Sequence, residues 1–139
     1  MSSAPLLLDT HVWLNATAIP GRIRPAVRAA IDAAQAERGI YISVISVWEL
    51  AMLERDRRIE LSGGVEQWTR QALAKHGVTL LNYTPAIAIE SVYLPAPMHK
   101  DPSDRVLVAT ARIEKLTLVT SDKAIIKFAK ATGLPHLRA

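Results

Sequence analysis

Asp9 follows Leu6-Leu7-Leu8, Glu49 closes Ser46-Val47-Trp48-Glu49, Asp104 lies in Asp101-Pro102-Ser103-Asp104-Arg105, and Asp122 follows Leu118-Val119-Thr120-Ser121. Each acid stands just past an apolar stretch or in the first turn of an expected helix. These are the places from which an open α/β sheet feeds one crevice beyond the carboxyl ends of its strands. Carboxylates gathered there repel one another and hold protons, and a divalent cation reverses that effect. The chain has no cysteine and only four histidines, so the donors are oxygens, which favour Mg2+ or Mn2+ over zinc. Two or three carboxylates suffice for such an ion, and a water on it becomes a nucleophile.

Each acid also has an ordinary reading. Ser46 to Glu49 matches a capping box, with the serine capping a helix and the glutamate reaching back to it. Asp101 with Pro102 reads as N-cap and N1, which puts Asp104 in the first turn, where the helix dipole favours negative charge. Asp122 would cap the last helix. Asp9 is harder to explain as a cap, because an acid directly after three leucines sits at the edge of a core, where its desolvation must be compensated. The joint pattern is more telling than any member.

The elements that must position these acids alternate between strand and helix. Strands are expected near Leu6 to Leu8, at Ile40 to Ile45, at Val78 to Leu81, at Thr117 to Thr120, and as a short last strand at Leu134 to Leu137. Between them the pattern predicts a short helical turn near Val12 to Ala16, a loop at Ile19-Pro20-Gly21, and a helix from Pro25 to Glu37. Further helices are expected from Ser46 to Arg57, Val65 to Lys75, Pro85 to Tyr93, Ser103 to Lys115 and Lys123 to Ala131. On the helix opened by Ser46, the residues Val47, Leu50, Ala51 and Leu53 are expected to form one apolar stripe. This alternation predicts an α/β fold with a central, mostly parallel sheet and helices on both faces.

At 139 residues the chain fits a single domain, 1–139. Half of it is apolar, which excludes a disordered polymer. No apolar run approaches the roughly 18 to 20 residues needed to cross a bilayer. Met1-Ser2-Ser3-Ala4-Pro5 lacks the basic region of a secretory signal, and without cysteine there is no disulfide framework. The cytoplasm is the expected compartment. The net charge is +4 although the candidate site is acidic, so the cations predominate elsewhere, among them Arg22, Arg24, Arg55, Arg57, Arg58 and Arg70. That layout suits a polyanion drawn to a metal-dependent acidic centre, or simply a solvated basic surface.

The segments Leu8-Asp9-Thr10-His11-Val12-Trp13-Leu14, Ser43-Val44-Ile45-Ser46-Val47-Trp48-Glu49-Leu50, His99-Lys100-Asp101-Pro102-Ser103-Asp104-Arg105 and Leu118-Val119-Thr120-Ser121-Asp122 resemble the PIN-domain ribonucleases. Within them they resemble the VapC-like toxins of type II toxin–antitoxin pairs, in order and spacing over essentially the whole chain. The resemblance implies a PIN-like three-layer α/β/α fold with four to five strands. It also implies a Mg2+- or Mn2+-dependent endoribonuclease, a cognate antitoxin that inhibits it, and a homodimer. RNA is the implied substrate, leaving 5′-phosphate and 3′-hydroxyl ends, and contact with DNA would come only through the antitoxin.

Carried over by position, Asp9, Glu49, Asp104 and Asp122 match the catalytic acids. Asp9, Asp104 and Asp122 are then the expected metal carboxylates, with Glu49 orienting water or a second ion and Asp101 in support. Thr10, Thr120 and Ser121 stand beside the acids as water-orienting or capping residues. Arg105 would neutralise a phosphate or brace an acid. His11 reads as a local hydrogen-bonding residue. Trp13, Trp48 and Trp68 are expected in the core or an interface, and Trp48 to Arg58 either lines an antitoxin groove or is half buried. Two alternatives compete. A phosphatase of the haloacid dehalogenase type would want an acid at position 11, where this chain has His11, and a non-catalytic binding module would keep the fold without turnover.

Overall fold

Three consecutive leucines suit a strand that is covered on both faces. In the computed structural model, which describes residues 4–139, they form β1 (Leu6–Leu8), buried throughout. The other strands are β2 (Ile40–Ser43), β3 (Val78–Leu81), β4 (Thr117–Thr120) and β5 (His136–Arg138). They assemble in the order β3-β2-β1-β4-β5, and every adjacent pair is parallel. The connecting helices are α1 (Thr10–Ala18), α2 (Pro25–Ala36), α3 (Val44–Arg55), α4 (Gly64–Leu73), α5 (Pro85–Val92), α6 (Pro102–Glu114) and α7 (Lys123–Thr132). A short 3-10 turn, Pro20–Arg22, occupies the expected loop.

Strand alternation sends neighbouring residues to opposite faces, and the core divides accordingly. Leu6, Leu8, Ile40, Ile42 and Val119 pack on one face with Val12, Trp13, Ile31, Leu50 and Trp68 from α1 to α4. Leu7 and Leu118 pack on the other with Leu107, Val108, Ile125 and Phe128 from α6 and α7. The result is three layers, α/β/α. Trp13 and Trp68 meet edge to face with centroids 5.2 Å apart, a geometry worth about 0.5–1.5 kcal/mol beyond area burial. Gly77 admits β3 beside α2: at φ +78 a Cβ there would stand 2.1 Å from the carbonyl oxygen of Gln35. Among the described residues, no helix is long and apolar enough to cross a membrane. The expectation placed on Met1-Ser2-Ser3 lies outside the described residues.

Several boundaries differ from the sequence expectation, and each difference has a local cause. The strand expected to reach Ile45 ends at Ser43, whose hydroxyl accepts Ile45 N–H at 3.1 Å and caps α3. Ser46 is therefore inside the helix, and the capping box with Glu49 does not form. The β-branched run read as strand by propensity, but packing of Leu50 into the core carries Val44 and Ile45 into helix instead. The α3 stripe runs through Val47, Leu50 and Leu53, while Ala51 is exposed. Helix α1 is a full nine residues because Asp9 caps it directly. Helix α3 stops at Arg55, and β5 begins only after Pro135, a residue with no N–H to give a ladder.

Candidate metal centre

The chain leaves β1 toward β2 and β3 on one side, then returns to place β4 and β5 on the other. Such a reversal opens a crevice at the carboxyl ends of the two strands that flank it, here β1 and β4. Asp9 directly follows β1, and Thr120 ends β4. The Asp9 N–H extends the ladder by donating to the Val119 carbonyl at 3.0 Å.

Asp9 is 7 % exposed. Its Oδ1 accepts Thr10 N–H at 2.6 Å, and its Oδ2 accepts the Thr120 hydroxyl at 2.6 Å. Burial raises its pKa; the two hydrogen bonds and His11 pull against that rise, while Asp122 adds to it. Thr120 Oγ1 also accepts the Asp122 N–H at 3.0 Å, so one hydroxyl joins the acids of both strand ends. Asp122 caps α7, its Oδ1 accepting Ile125 N–H at 2.9 Å.

Glu49 arrives from α3. The Thr10 hydroxyl lies 2.7 Å from its Oε1 and 2.8 Å from the Ser46 hydroxyl. A hydroxyl has one proton, so while Thr10 donates to the glutamate, Ser46 donates to Thr10. Burial raises the Glu49 pKa, and the charges of Asp9 and Asp101 add to it. The Thr10 hydroxyl thus holds a carboxylate, and the Thr120 hydroxyl both holds a carboxylate and accepts a backbone N–H. Ser121 is exposed, as is His11.

Helix α6 supplies the remaining acids. Asp101 caps it: its Oδ1 accepts the Ser103 N–H and hydroxyl at 3.0 and 2.9 Å and the Asp104 N–H at 3.3 Å. Pro102 follows at N1. Asp104, in the first turn, has a side chain 13 % exposed. Burial first, then the charges of Asp101, Asp122, Asp9 and Glu49, push its pKa up to about 8. At neutral pH that carboxyl keeps a proton unless a cation takes the proton's place, so the donor set fits a divalent ion.

The tightest group of possible donors among the described residues is His99, Asp104 and Asp122, whose ligand atoms lie within 4.8 Å of one another. His99 opens the His99-to-Arg105 motif, and beyond that place nothing in the sequence marks it as a group of the site. Its Nε2 is buried and stands 3.1 Å from Asp104 Oδ2, but off the axis of a hydrogen bond, and it has no other partner among the described residues. The Asp101 N–H donates to His99 Nδ1 at 3.3 Å, which leaves the neutral ring's proton on Nε2. In that tautomer His99 offers the carboxylates a proton and no lone pair, so the donor set remains one of oxygens.

Arg105 forms no ion pair with an acid among the described residues. Its guanidinium donates to the carbonyls of Ser91, Val92, Met98 and His99 at 2.8, 3.1, 3.4 and 3.0 Å. It pins the loop carrying His99 to the end of α5. Trp48 is 50 % exposed, unlike Trp13 and Trp68 in the core.

A parallel sheet with acids from four connections meeting at its switch point is the arrangement of one nuclease fold, and the chain belongs to that family: residues 6–131 match the PIN domain. It is 38% identical over 120 residues to Ribonuclease VapC22 of Mycobacterium tuberculosis (strain ATCC 25618 / H37Rv), covering 86% of this chain and 88% of that protein. It is also similar to a chain of a toxin–antitoxin complex from Klebsiella pneumoniae, at 25% identity and TM-score 0.63 over 95% of each chain. A chain of DNA-bound VapBC from Salmonella typhimurium shares the fold at 17% identity, with TM-score 0.67 over 99% of this chain and 98% of that one.

Proposed function

We propose that residues 1–139 form one PIN domain acting as a metal-dependent endoribonuclease, the toxin of a type II toxin–antitoxin pair, with Asp9, Glu49, Asp104 and Asp122 as its catalytic acids. The observation that carries this reading is the convergence at the β1/β4 crevice, where burial and the neighbouring acids push Asp104 up to about 8. Family membership and the resemblance to a ribonuclease support it.

Asp9, Asp104 and Asp122 would hold the ion, and their oxygens favour Mg2+, with Mn2+ as a substitute. When bound, a divalent ion supplies positive charge that lowers the pKa of an attacking water and offsets charge on the phosphate oxygens. The chain's own groups do the positioning. Thr120 and the Thr10 N–H fix Asp9, Thr10 fixes Glu49 to orient a water, and Asp101 supports Asp104 through the α6 cap. The oxygen of water bonds to phosphorus as the bond from phosphorus to the 3′-oxygen breaks, and that oxygen takes up a proton, which leaves a 5′-phosphate and a 3′-hydroxyl.

The antitoxin reading draws on the toxin–antitoxin complex among the similar structures and on α3, where exposed Trp48 and half-buried Met52 adjoin Arg55, Arg57 and Arg58. Ile89, Val92 and Tyr93, exposed along α5, support a homodimer. A phosphatase reading lacks its second acid, since position 11 is His11.

The test is incubation of antitoxin-free protein and its Asp9→Asn variant with structured RNAs in Mg2+, Mn2+ or chelator, followed by mapping of the cut ends. Metal-dependent cuts with 5′-phosphate ends that vanish in the variant are expected. Full activity in Asp9→Asn would overturn the assignment, and RNA binding without cleavage would favour a non-catalytic module.

A further inference from the structure

Helix α7 begins at the crevice, since its cap is Asp122, and its axis leads away from it. Lys123, Lys127 and Lys130 recur along that helix at intervals of four and three, which places them on one face. All three are exposed, and none forms an ion pair among the described residues. With Ile126 and Arg138 of β5 they line an open cleft of about 440 Å³. At 1.5 Å per residue the stripe extends about 10 Å from the rim, enough for more than one phosphate. Cations left unneutralised along a cleft raise the local concentration of a polyanion. This cleft starts one residue from a candidate catalytic acid.

We propose that Lys123, Lys127, Lys130 and Arg138 form a phosphate track that seats the single-stranded RNA backbone leading into the crevice. The inference rests on the ribonuclease reading above. An acidic polypeptide would find the same charges, but continuity with the Asp122 end of the crevice favours the substrate. The side chains act as point charges on the backbone, so the track binds without reading sequence. Catalysis at the acids is left untouched, and the contribution appears in KM and not in kcat.

The experiment compares the full chain with a Lys123→Gln/Lys127→Gln/Lys130→Gln variant and with an Arg38→Gln/Lys75→Gln/Lys115→Gln control, three exposed cations that precede β2, β3 and β4 at the end of the sheet opposite the crevice. Binding of a fluorescent mixed-sequence single-stranded RNA is measured across a KCl series, with Asp9→Asn added to each protein to prevent cutting. Cleavage kinetics are measured without that change, and circular dichroism verifies that each variant is folded. Each lost phosphate contact on a single strand flattens the log–log salt dependence by about 0.7. The lysine variant is expected to flatten it by about 2, weaken binding at low salt at least tenfold, and raise KM at unchanged kcat, with the control near wild type.

An unchanged salt slope in the variant of the α7 lysines overturns the track, as does an equal effect in the control. Loss of polyglutamate binding with RNA binding intact assigns the stripe to an acidic polypeptide and overturns it too. Absence of RNA cleavage by the wild-type protein with either metal sinks the parent reading instead, and the salt series then still reports separately on whether the stripe binds RNA.

Discussion

Thr120 donates its hydroxyl to Asp9 Oδ2 at 2.6 Å, joining residues 111 positions apart in the chain. The Thr120 hydroxyl oxygen also accepts the Asp122 N–H, so a neutral side chain ties the acid after β1 to the acid after β4. A buried carboxylate needs such donors to remain ionised.

Thr120→Val keeps the shape and removes the donor. Leaving a buried acceptor unsatisfied costs about 1–3 kcal/mol, and Asp9 should hold its proton more tightly. The expected outcome is weaker Mg2+ binding by calorimetry and a lower denaturation midpoint, both largely restored in Thr120→Ser. Unchanged Mg2+ affinity in the valine variant would show that Asp9 needs no such support.

The raised acids make the metal-free protein sensitive to pH. A carboxyl whose folded pKa exceeds its unfolded value binds protons better in the folded chain, so stability falls as pH rises from about 4, the unfolded aspartate value. For Asp104 the fall continues through about 8. Thermal melts in chelator should therefore show a declining midpoint over that window. Asp104→Asn should flatten the decline while abolishing cleavage, and added Mg2+ should restore the wild-type midpoint most strongly at the upper end. A midpoint independent of pH would contradict the geometry.

Thr10→Val releases Glu49 from its hydroxyl donor without altering the acids themselves. Misplacement of a positioning carboxylate lowers kcat by about 10- to 100-fold, whereas RNA binding should persist because no phosphate contact is lost. Steady-state kinetics beside binding by anisotropy separate the two, and Thr10→Ser should recover most of kcat.

Arg105→Lys tests the loop clamp. A lysine ammonium cannot reproduce a planar fork engaged with carbonyls of Ser91, Val92, Met98 and His99. A stability loss of about 2 kcal/mol in urea denaturation is expected, together with faster amide exchange at 99–101. If Arg105 served phosphate binding instead, the same variant would keep its stability and lose RNA affinity.

The parallel sheet was legible because Leu6-Leu7-Leu8, Ile40-Tyr41-Ile42 and Leu118-Val119 are short apolar runs separated by helical periodicity, a pattern that only a covered sheet satisfies. The α3 boundary was misread for the converse reason: Ser43 and Ser46 both precede apolar helix, and local propensity cannot choose between two serine caps. Core packing of Leu50 chose Ser43. His99 is not legible as a group of the site because a histidine in a proline-rich connection has no periodicity to read, and its meaning depends on which atom faces Asp104.

What the sequence by itself determined were the residue types and their order: oxygen donors at strand exits, no thiols, and a cap at the start of α6 and of α7, all of which follow from local chemistry. Tertiary structure decided which groups share a site. Thr10 with Glu49, Thr120 with Asp9, Arg105 with the carbonyls before it, and the lysine face of α7 beside Arg138 are pairings across sheet and helix. They are set by strand order and helix phase, quantities that no single segment of chain contains.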